Sequence, residues 1–229
     1  HLKENNNLNN MRIIKNTESL SNIRDNRKNQ VFLIPDPFTF HYEPILWINC
    51  VEILQKLDQS PILLDYFSTG KPLHVKGFSN EFKKLTKKNY NKLLPLISKK
   101  ATIATIEPSI GYLFKDEYKQ ILNKEIPILM IQELLNSILS KQQKERPKDT
   151  YYLLSHCTEN AIGYEENKLW QSLFKKLNIT IEICAVGCCG MAGNYGHENE
   201  NLELSKGIFE LSWKPVFDSI PDHSKILST

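Results

Sequence analysis

Five short apolar runs, each followed by a polar or glycine-bearing turn and most then by a helix-period stretch, restrict this sequence more than any other feature. The first run, Val31-Phe32-Leu33-Ile34, is apolar at every position and stops at Pro35. Such a run reads as a strand buried on both faces, as in a parallel sheet. After it, Trp47, Cys50, Val51, Leu54 and Leu57 recur at helical spacing. Pro61-Ile62-Leu63-Leu64 is a second strand, followed by the loop Ser68-Thr69-Gly70-Lys71-Pro72 and a helix over residues 80–97. Residues 101–106 read as a third strand, and 111–139 as a helix broken near Pro127.

The pattern then restarts. Residues 141–149 (KQQKERPKD) are charged and Pro-containing, the composition of a linker. Beyond them, 151–154 is a strand, and Leu169, Trp170, Leu173, Phe174 and Leu177 mark a helix. Residues 179–186 are another strand, and Leu204, Ile208 and Leu211 mark a last helix. Strands alternating with helices predict an α/β fold of two pseudo-repeated parallel-sheet units with helices on both faces. The expected division is 1–29 as a flexible or helical arm, 30–140 as the first repeat and 150–229 as the second. In this alignment Asp36 matches Cys157, and the Gly70-Lys71 loop matches Cys188-Cys189.

Loops that follow parallel strands collect on one edge, where ligands bind. Four of the nine glycines and three of the five cysteines fall between Cys184 and Gly196. The repeat brings Cys157 to the same edge as Cys188 and Cys189. Soft thiolates at a strand-to-helix turn suit iron–sulfur, zinc or redox chemistry. Gly187, Gly190, Gly193 and Gly196 let the backbone approach a bulky group and aim N–H donors at it. The bland alternative is a tight turn with inert buried cysteines. His156 and His197 flank the thiol loops as candidate ligands or proton carriers, or as hydrogen-bonded structural histidines. Cys50 reads as a core thiol, and Cys184 as core or as a neighbour of the thiol site. His41, His74, Glu107 and Glu198 occupy related loop positions.

Composition excludes other classes. The 229 residues carry a net charge of +3, 41% apolar and 24% charged residues, a globular balance with no nucleic-acid signal. No apolar run is long enough for a transmembrane segment. An odd, clustered cysteine count fits a reducing, cytoplasmic compartment better than a disulfide framework. Ser68-Thr69-Gly70-Lys71 lacks the spacing of a phosphate loop, and Gly187, Gly190 and Gly193 lack that of a dinucleotide fingerprint. The lysine pairs Lys83-Lys84 and Lys87-Lys88 read as a solvated helix face. The chain begins with His1, which is expected of a piece of a longer polypeptide.

Cys157 and the string Gly187-Cys188-Cys189-Gly190-Met191-Ala192-Gly193-Asn194-Tyr195-Gly196-His197-Glu198 carry a resemblance. They resemble the cysteine-rich CCG domain of heterodisulfide reductase, glycolate oxidase and anaerobic glycerol-3-phosphate dehydrogenase subunits. The longer string is similar to the C-terminal part of FAD-linked, iron–sulfur-containing D-2-hydroxyglutarate dehydrogenase-type oxidoreductases. Ile34-Pro35-Asp36-Pro37-Phe38-Thr39, residues 70–78, Ile106-Glu107-Pro108-Ser109 and Ser155-His156-Cys157-Thr158-Glu159 extend it over about residues 30–215.

The resemblance implies a domain of an enzyme in which flavin oxidises a 2-hydroxyacid substrate and passes electrons to a [4Fe–4S] centre. FAD and ferredoxin-type domains would be upstream or on partner chains. Here it implies an iron–sulfur cluster or zinc bound by Cys157, Cys188 and Cys189, with His156 or His197 assisting. Each half of the family pattern supplies a Cys, a Cys-Cys-Gly and a later Cys-x-x-Cys. In this chain the first half has Asp36, Gly70-Lys71 and Glu107-Pro108-Ser109-Ile110 instead, and no cysteine follows Cys189. A non-catalytic docking module that has lost its cluster, or a structural zinc site, are the alternatives.

Overall fold

The computed structural model describes residues 12–14, 29–140, 150–162, 164–193 and 195–229. The chain divides into two compact units, His1–Leu134 and Leu135–Thr229. The linker expected over 141–149 lies outside the described residues, as does most of the arm expected over 1–29. Within that arm, Arg12–Ile14 is a strand, which corrects the reading of the whole segment as flexible or helical.

In the first unit the strands are β1 (Arg12–Ile14), β2 (Gln30–Leu33), β3 (Ser60–Leu64), β4 (Thr102–Thr105) and β5 (Ile128–Met130). They lie in the order β1-β3-β2-β4-β5, and every neighbouring pair is parallel. Phe32 stands opposite Ile62 on one side and Ile103 on the other. Parallel neighbours need crossovers, which helices supply. These are α1 (Pro37–Tyr42), α2 (Pro44–Lys56), α3 (Lys71–Val75) and α4 (Ser79–Ser98), then α5 (Pro108–Tyr112) and α6 (Tyr118–Leu122) joined by a π-turn. Helix α7 (Ile131–Ile138) follows β5.

Strand alternation explains the near-continuous apolar runs. Phe32, Ile34, Ile62, Leu64 and Ile103 share a buried cluster with Phe82, Leu93 and Leu96 of α4 and with Phe114 and Tyr118. Val31, Leu33 and Leu63 point the opposite way and are equally buried. Trp47, Val51 and Leu54 are the buried face of α2, which packs on β3. Both faces of the sheet are therefore covered.

The helix expected over 111–139 is instead two helices, a strand and a third helix. Asn123 adopts a left-handed conformation (φ 50) that ends α6, and Ile128–Met130 then joins the sheet. A three-residue apolar strand has no period of its own, so helical spacing on either side absorbed it.

In the second unit the strands are β6 (Thr150–Leu154), β7 (Thr180–Cys184) and β8 (Lys225–Ser228), parallel in the order β7-β6-β8. Helices α8 (Cys157–Ile162) and α9 (Tyr164–Lys176) connect β6 to β7. Two 3₁₀ turns, Tyr195–His197 and Asn199–Asn201, precede α10 (Leu202–Ser219). The strand expected to run to residue 186 stops at Cys184, and β8 carried no sequence expectation.

The order β7-β6-β8 repeats β3-β2-β4 of the first unit. A second recurrence is at the entry edge. Asn29, Asp58, Lys100, Asn178 and His223 all have positive φ, and each lies one or two residues upstream of a strand. At three of them the bonds Gln59 N–H to Leu54 O, Ala101 N–H to Leu96 O and Ile179 N–H to Phe174 O close the preceding helix. This is the left-handed helix stop that satisfies terminal carbonyls. Among the described residues no helix is long and apolar enough to cross a membrane.

Candidate thiol site

Cys157 is the third residue after β6, at the start of α8, and Cys188 and Cys189 follow β7. Neighbouring parallel strands therefore deliver all three to one edge of the second sheet. Cys188 is exposed, and Cys157 and Cys189 are half-buried. Burial pushes the Cys157 thiol above the usual cysteine value, and charge on Cys188 and Cys189 pushes it the same way. Like-charge coupling of this kind requires the sulfurs to stand near one another. Among the described residues, however, no three His, Cys, Asp or Glu side chains converge in an arrangement that could hold a metal ion.

Each thiol loop is tied down by named side chains. Asn160 of α8 donates through Nδ2 to Ser155 O (3.1 Å) and to Val186 O (2.9 Å), linking the Cys157 turn to the loop after β7. Thr158 N–H donates to His156 Nδ1 (3.1 Å), which leaves the neutral ring proton on Nε2. The same Nδ1 lies 4.0 Å from Cys157 Sγ. His156 N–H donates to Thr229 Oγ1 (2.8 Å), and the Thr229 hydroxyl donates to Glu159. Glu159, only 1% exposed, also accepts from Trp170 Nε1 (3.1 Å). The end of β8 is thus fastened to the helix that carries Cys157.

The Cys188-Cys189 loop is gripped by α10. Gly187 N–H donates to Ser212 Oγ (2.7 Å), and Trp213 Nε1 donates to Gly187 O (3.1 Å). Ser205 Oγ donates to Gly190 O (2.9 Å), and Gly190 N–H points at Cys188 Sγ (3.3 Å). Gly190 has φ +90, and a Cβ there would lie 2.2 Å from Ser205 O. A Cβ on Gly187 would meet Ser212 Oγ at 2.9 Å, and one on Gly196 would meet Ser205 Oγ at 2.6 Å. Gly193 (φ +71) has open space around it, so conformation alone calls for glycine there. His197 is exposed on its 3₁₀ turn.

The two remaining cysteines differ from this set. Cys50 is buried on α2, and burial pushes its thiol up to about 12. Cys184, expected as core or as a neighbour of the thiol site, is half-buried on β7, an edge strand. Burial, then Glu182, raises its pKa.

The first unit carries an oxygen-donor counterpart. Asp36 is the third residue after β2, as Cys157 is after β6. Gly70 (φ +85) and Gly190 (φ +90) stand at the same distance from the ends of β3 and β7. The pair matching Cys188-Cys189 is therefore Ser68-Thr69, two residues upstream of the Gly70-Lys71 assignment made from the sequence. The helices before the two loops have the same lengths, 6 and 13 residues. The sequence register was misplaced because it matched the loops by motif, with the strand ends not yet located.

Asp36 is 0% exposed, and its Oδ1 accepts from Phe38 N–H (2.9 Å) and Thr39 N–H (2.8 Å). Thr39 Oγ1 donates to Asp36 Oδ2 and accepts from Trp47 Nε1 (2.8 Å). Glu107 Oε2 accepts from Ile110 N–H (2.6 Å) and Ser109 Oγ (2.7 Å). Burial raises its pKa, against those hydrogen bonds and with the charge of Asp36. Both carboxylates act as helix caps. Lys71 and His74 face Glu117 at 3.2 and 3.6 Å, and His41 packs on Tyr66.

Sequence reading did not single out Asn160, Glu159, Ser205, Ser212 or Trp213. Ser205 and Ser212, seven residues apart on an otherwise apolar helix face, were a usable signal beside the glycine loop.

These features define an α/β protein of two parallel-sheet units, the second bearing three accessible or half-accessible thiols at the exit edge of its strands. Over 212 residues, 91% of this chain, the sequence is 34% identical to the D-2-hydroxyglutarate dehydrogenase of Pantoea ananatis. It is 33% identical over 212 residues to the Escherichia coli K12 enzyme of the same name. A Pseudomonas putida enzyme of that name is 32% identical over 194 residues. The matched stretch is 20%, 21% and 19% of those proteins, so the chain spans about a fifth of the relatives it matches. No family model and no solved structure matches the chain.

Proposed function

We propose that this chain is the C-terminal cysteine-rich domain of an FAD- and iron–sulfur-dependent 2-hydroxyacid dehydrogenase acting on D-2-hydroxyglutarate or a close analogue. The observation that supports the reading most is identity of about a third, over some nine-tenths of the chain, to dehydrogenases named for that substrate. The donor chemistry is in keeping with it, because three thiols at one sheet edge form a soft ligand set. Cys157, Cys188 and Cys189 bind as thiolates, the Gly190 N–H stabilises charge on Cys188, and Asn160 keeps the two thiol loops in register. His156, with Nδ1 accepting from Thr158, holds its proton on Nε2. The remaining ligand comes from outside these three residues, and β8 ends at the same edge. An iron–sulfur centre bound here supplies one-electron transfer, whereas zinc would brace the loops. Flavin and ferredoxin-type domains complete the enzyme, which acts in the cytoplasm.

A second reading, a docking module without a cluster, is favoured by the lack of a converged ligand trio among the described residues. One experiment separates the two. The full-length enzyme is purified anaerobically, its iron and zinc are measured, and dye reduction with D-2-hydroxyglutarate is followed. Replacing Cys188 and Cys189 by Ser is expected to remove metal bound by this domain and to slow turnover at least about tenfold. Unchanged metal content with unchanged turnover overturns the ligand role and supports docking.

A further inference from the structure

We propose that α10 is the positioning element of the vicinal thiols, with Ser205, Ser212 and Trp213 gripping the two glycines that bracket Cys188 and Cys189. The inference rests on the thiol site but not on the identity of a metal or on the dehydrogenase reaction. Gly187 is held at both its backbone groups, the N–H by Ser212 and the C=O by Trp213. Gly190 is held at its C=O by Ser205, which is 6% exposed. The two serines are one heptad apart, so they share a helix face and reach the loop side by side. The dithiol is thus suspended between two fixed points on one rigid rod.

The glycines belong to the same arrangement. Helix α10 lies so close that a Cβ at Gly190 would sit 2.2 Å from the Ser205 carbonyl oxygen. Glycine at 187 and 190 permits the approach, and the hydroxyls and indole then use it. A loop fixed in this way presents its two sulfurs in one relative orientation. The entropy of ordering a chelating pair is therefore spent during folding rather than at ligand capture. A reagent that must bond both sulfurs benefits from this, and a reagent that needs one sulfur does not.

The test uses that contrast on the whole chain. Phenylarsenoxide serves as the dithiol-bridging probe and iodoacetamide as the single-thiol probe, with Cys184 alkylation as the internal control. Each lost hydrogen bond is worth a factor of about two to twelve in affinity. Ser205→Ala with Ser212→Ala is therefore expected to weaken arsenical binding about tenfold or more. Iodoacetamide rates at Cys188 and Cys189 are expected to change less than about twofold on the same reasoning. Ser212→Thr, which keeps the hydroxyl, is expected to hold arsenical affinity within about twofold of wild type, where Ser212→Ala weakens it. Trp213→Phe retains an aromatic ring beside Phe209 and Phe217 and loses the N–H donor. It gives a reading of its own, a loss of about threefold or more, if the serine pair does not fold. Equal arsenical affinity in wild type and folded variants overturns the proposal. Failure of the chain to bind iron or zinc overturns the metal reading and leaves this result intact.

Discussion

Cys50 and Cys157 show how far one residue type can be pulled apart by its surroundings. Both thiols are raised, Cys50 by burial alone and Cys157 by burial with help from its two thiol neighbours. Cys50 touches nothing charged, so it is chemically silent and contributes through packing. Its folded value of about 12 against an ordinary 9.0 makes it a pH-linked group. The folded state holds the proton more tightly than the unfolded state, so stability is full below about pH 9 and falls as pH rises toward 12. Three units correspond to at most about 4 kcal/mol. Urea midpoints measured across that range should fall for the wild type and fall less for Cys50→Ala. Parallel curves would show that the thiol stays out of the linkage. The burial of Cys50 was legible in the sequence, from its place on an apolar helix face. The environment of Cys184 was not, because a strand's own pattern does not say whether it lies at the edge of its sheet.

At the scale of elements, legibility tracked burial. Strands β2, β3 and β4 are covered on both faces, and their apolar runs announced them. Strand β8 is mostly exposed (Lys-Ile-Leu-Ser), and β5 has three residues, so neither left a readable period. Helix α4 was placed within a residue at either end, since Phe82, Leu93 and Leu96 recur on one face. The α5–α6 segment was misread because a π-turn and the left-handed Asn123 are backbone events with little side-chain signature. The entry-edge turns lead to an engineering test. Lys100 sits at φ 53 between α4 and β4, a conformation that a Cβ disfavours. Lys100→Gly relieves about 1–2 kcal/mol of strain and returns part of it as unfolded-chain entropy, for a net gain of about 0.5–1 kcal/mol. A thermal melt that moves upward by a few degrees bears this out; a downward shift shows that the Lys100 side chain contributes more than its backbone costs.

For the whole molecule, the α/β class with parallel sheets was the part of the fold most open to sequence reasoning, because alternating strands and helices admit few other solutions, whereas the strand order was read only from the structure. The candidate site was legible as to residue type and edge. Its counterpart in the first unit was legible only to within two residues, and the clamp from α10 was hidden because it joins side chains to backbone across a long stretch of sequence. A thiol site confined to the second unit should make that unit alone respond to a soft metal. Zinc added to the reduced chain is expected to slow amide exchange in residues 155–162 and 184–197 and to leave 30–34 and 60–64 unchanged. Protection that rises equally in both units would refute a site confined to the second.

The left-handed turns before the strands have a further consequence. They secure every sheet from the entry edge, whereas Asp36, Ser68 and Thr69 in one unit and Cys157, Cys188 and Cys189 in the other occupy the exit edge. The architecture thereby uncouples keeping a fold from keeping a chemistry. A helix-capping carboxylate at Asp36 and a thiol at Cys157 stand at matching exits of sheets that share one strand order, so a change of donor at that edge leaves the entry turns untouched.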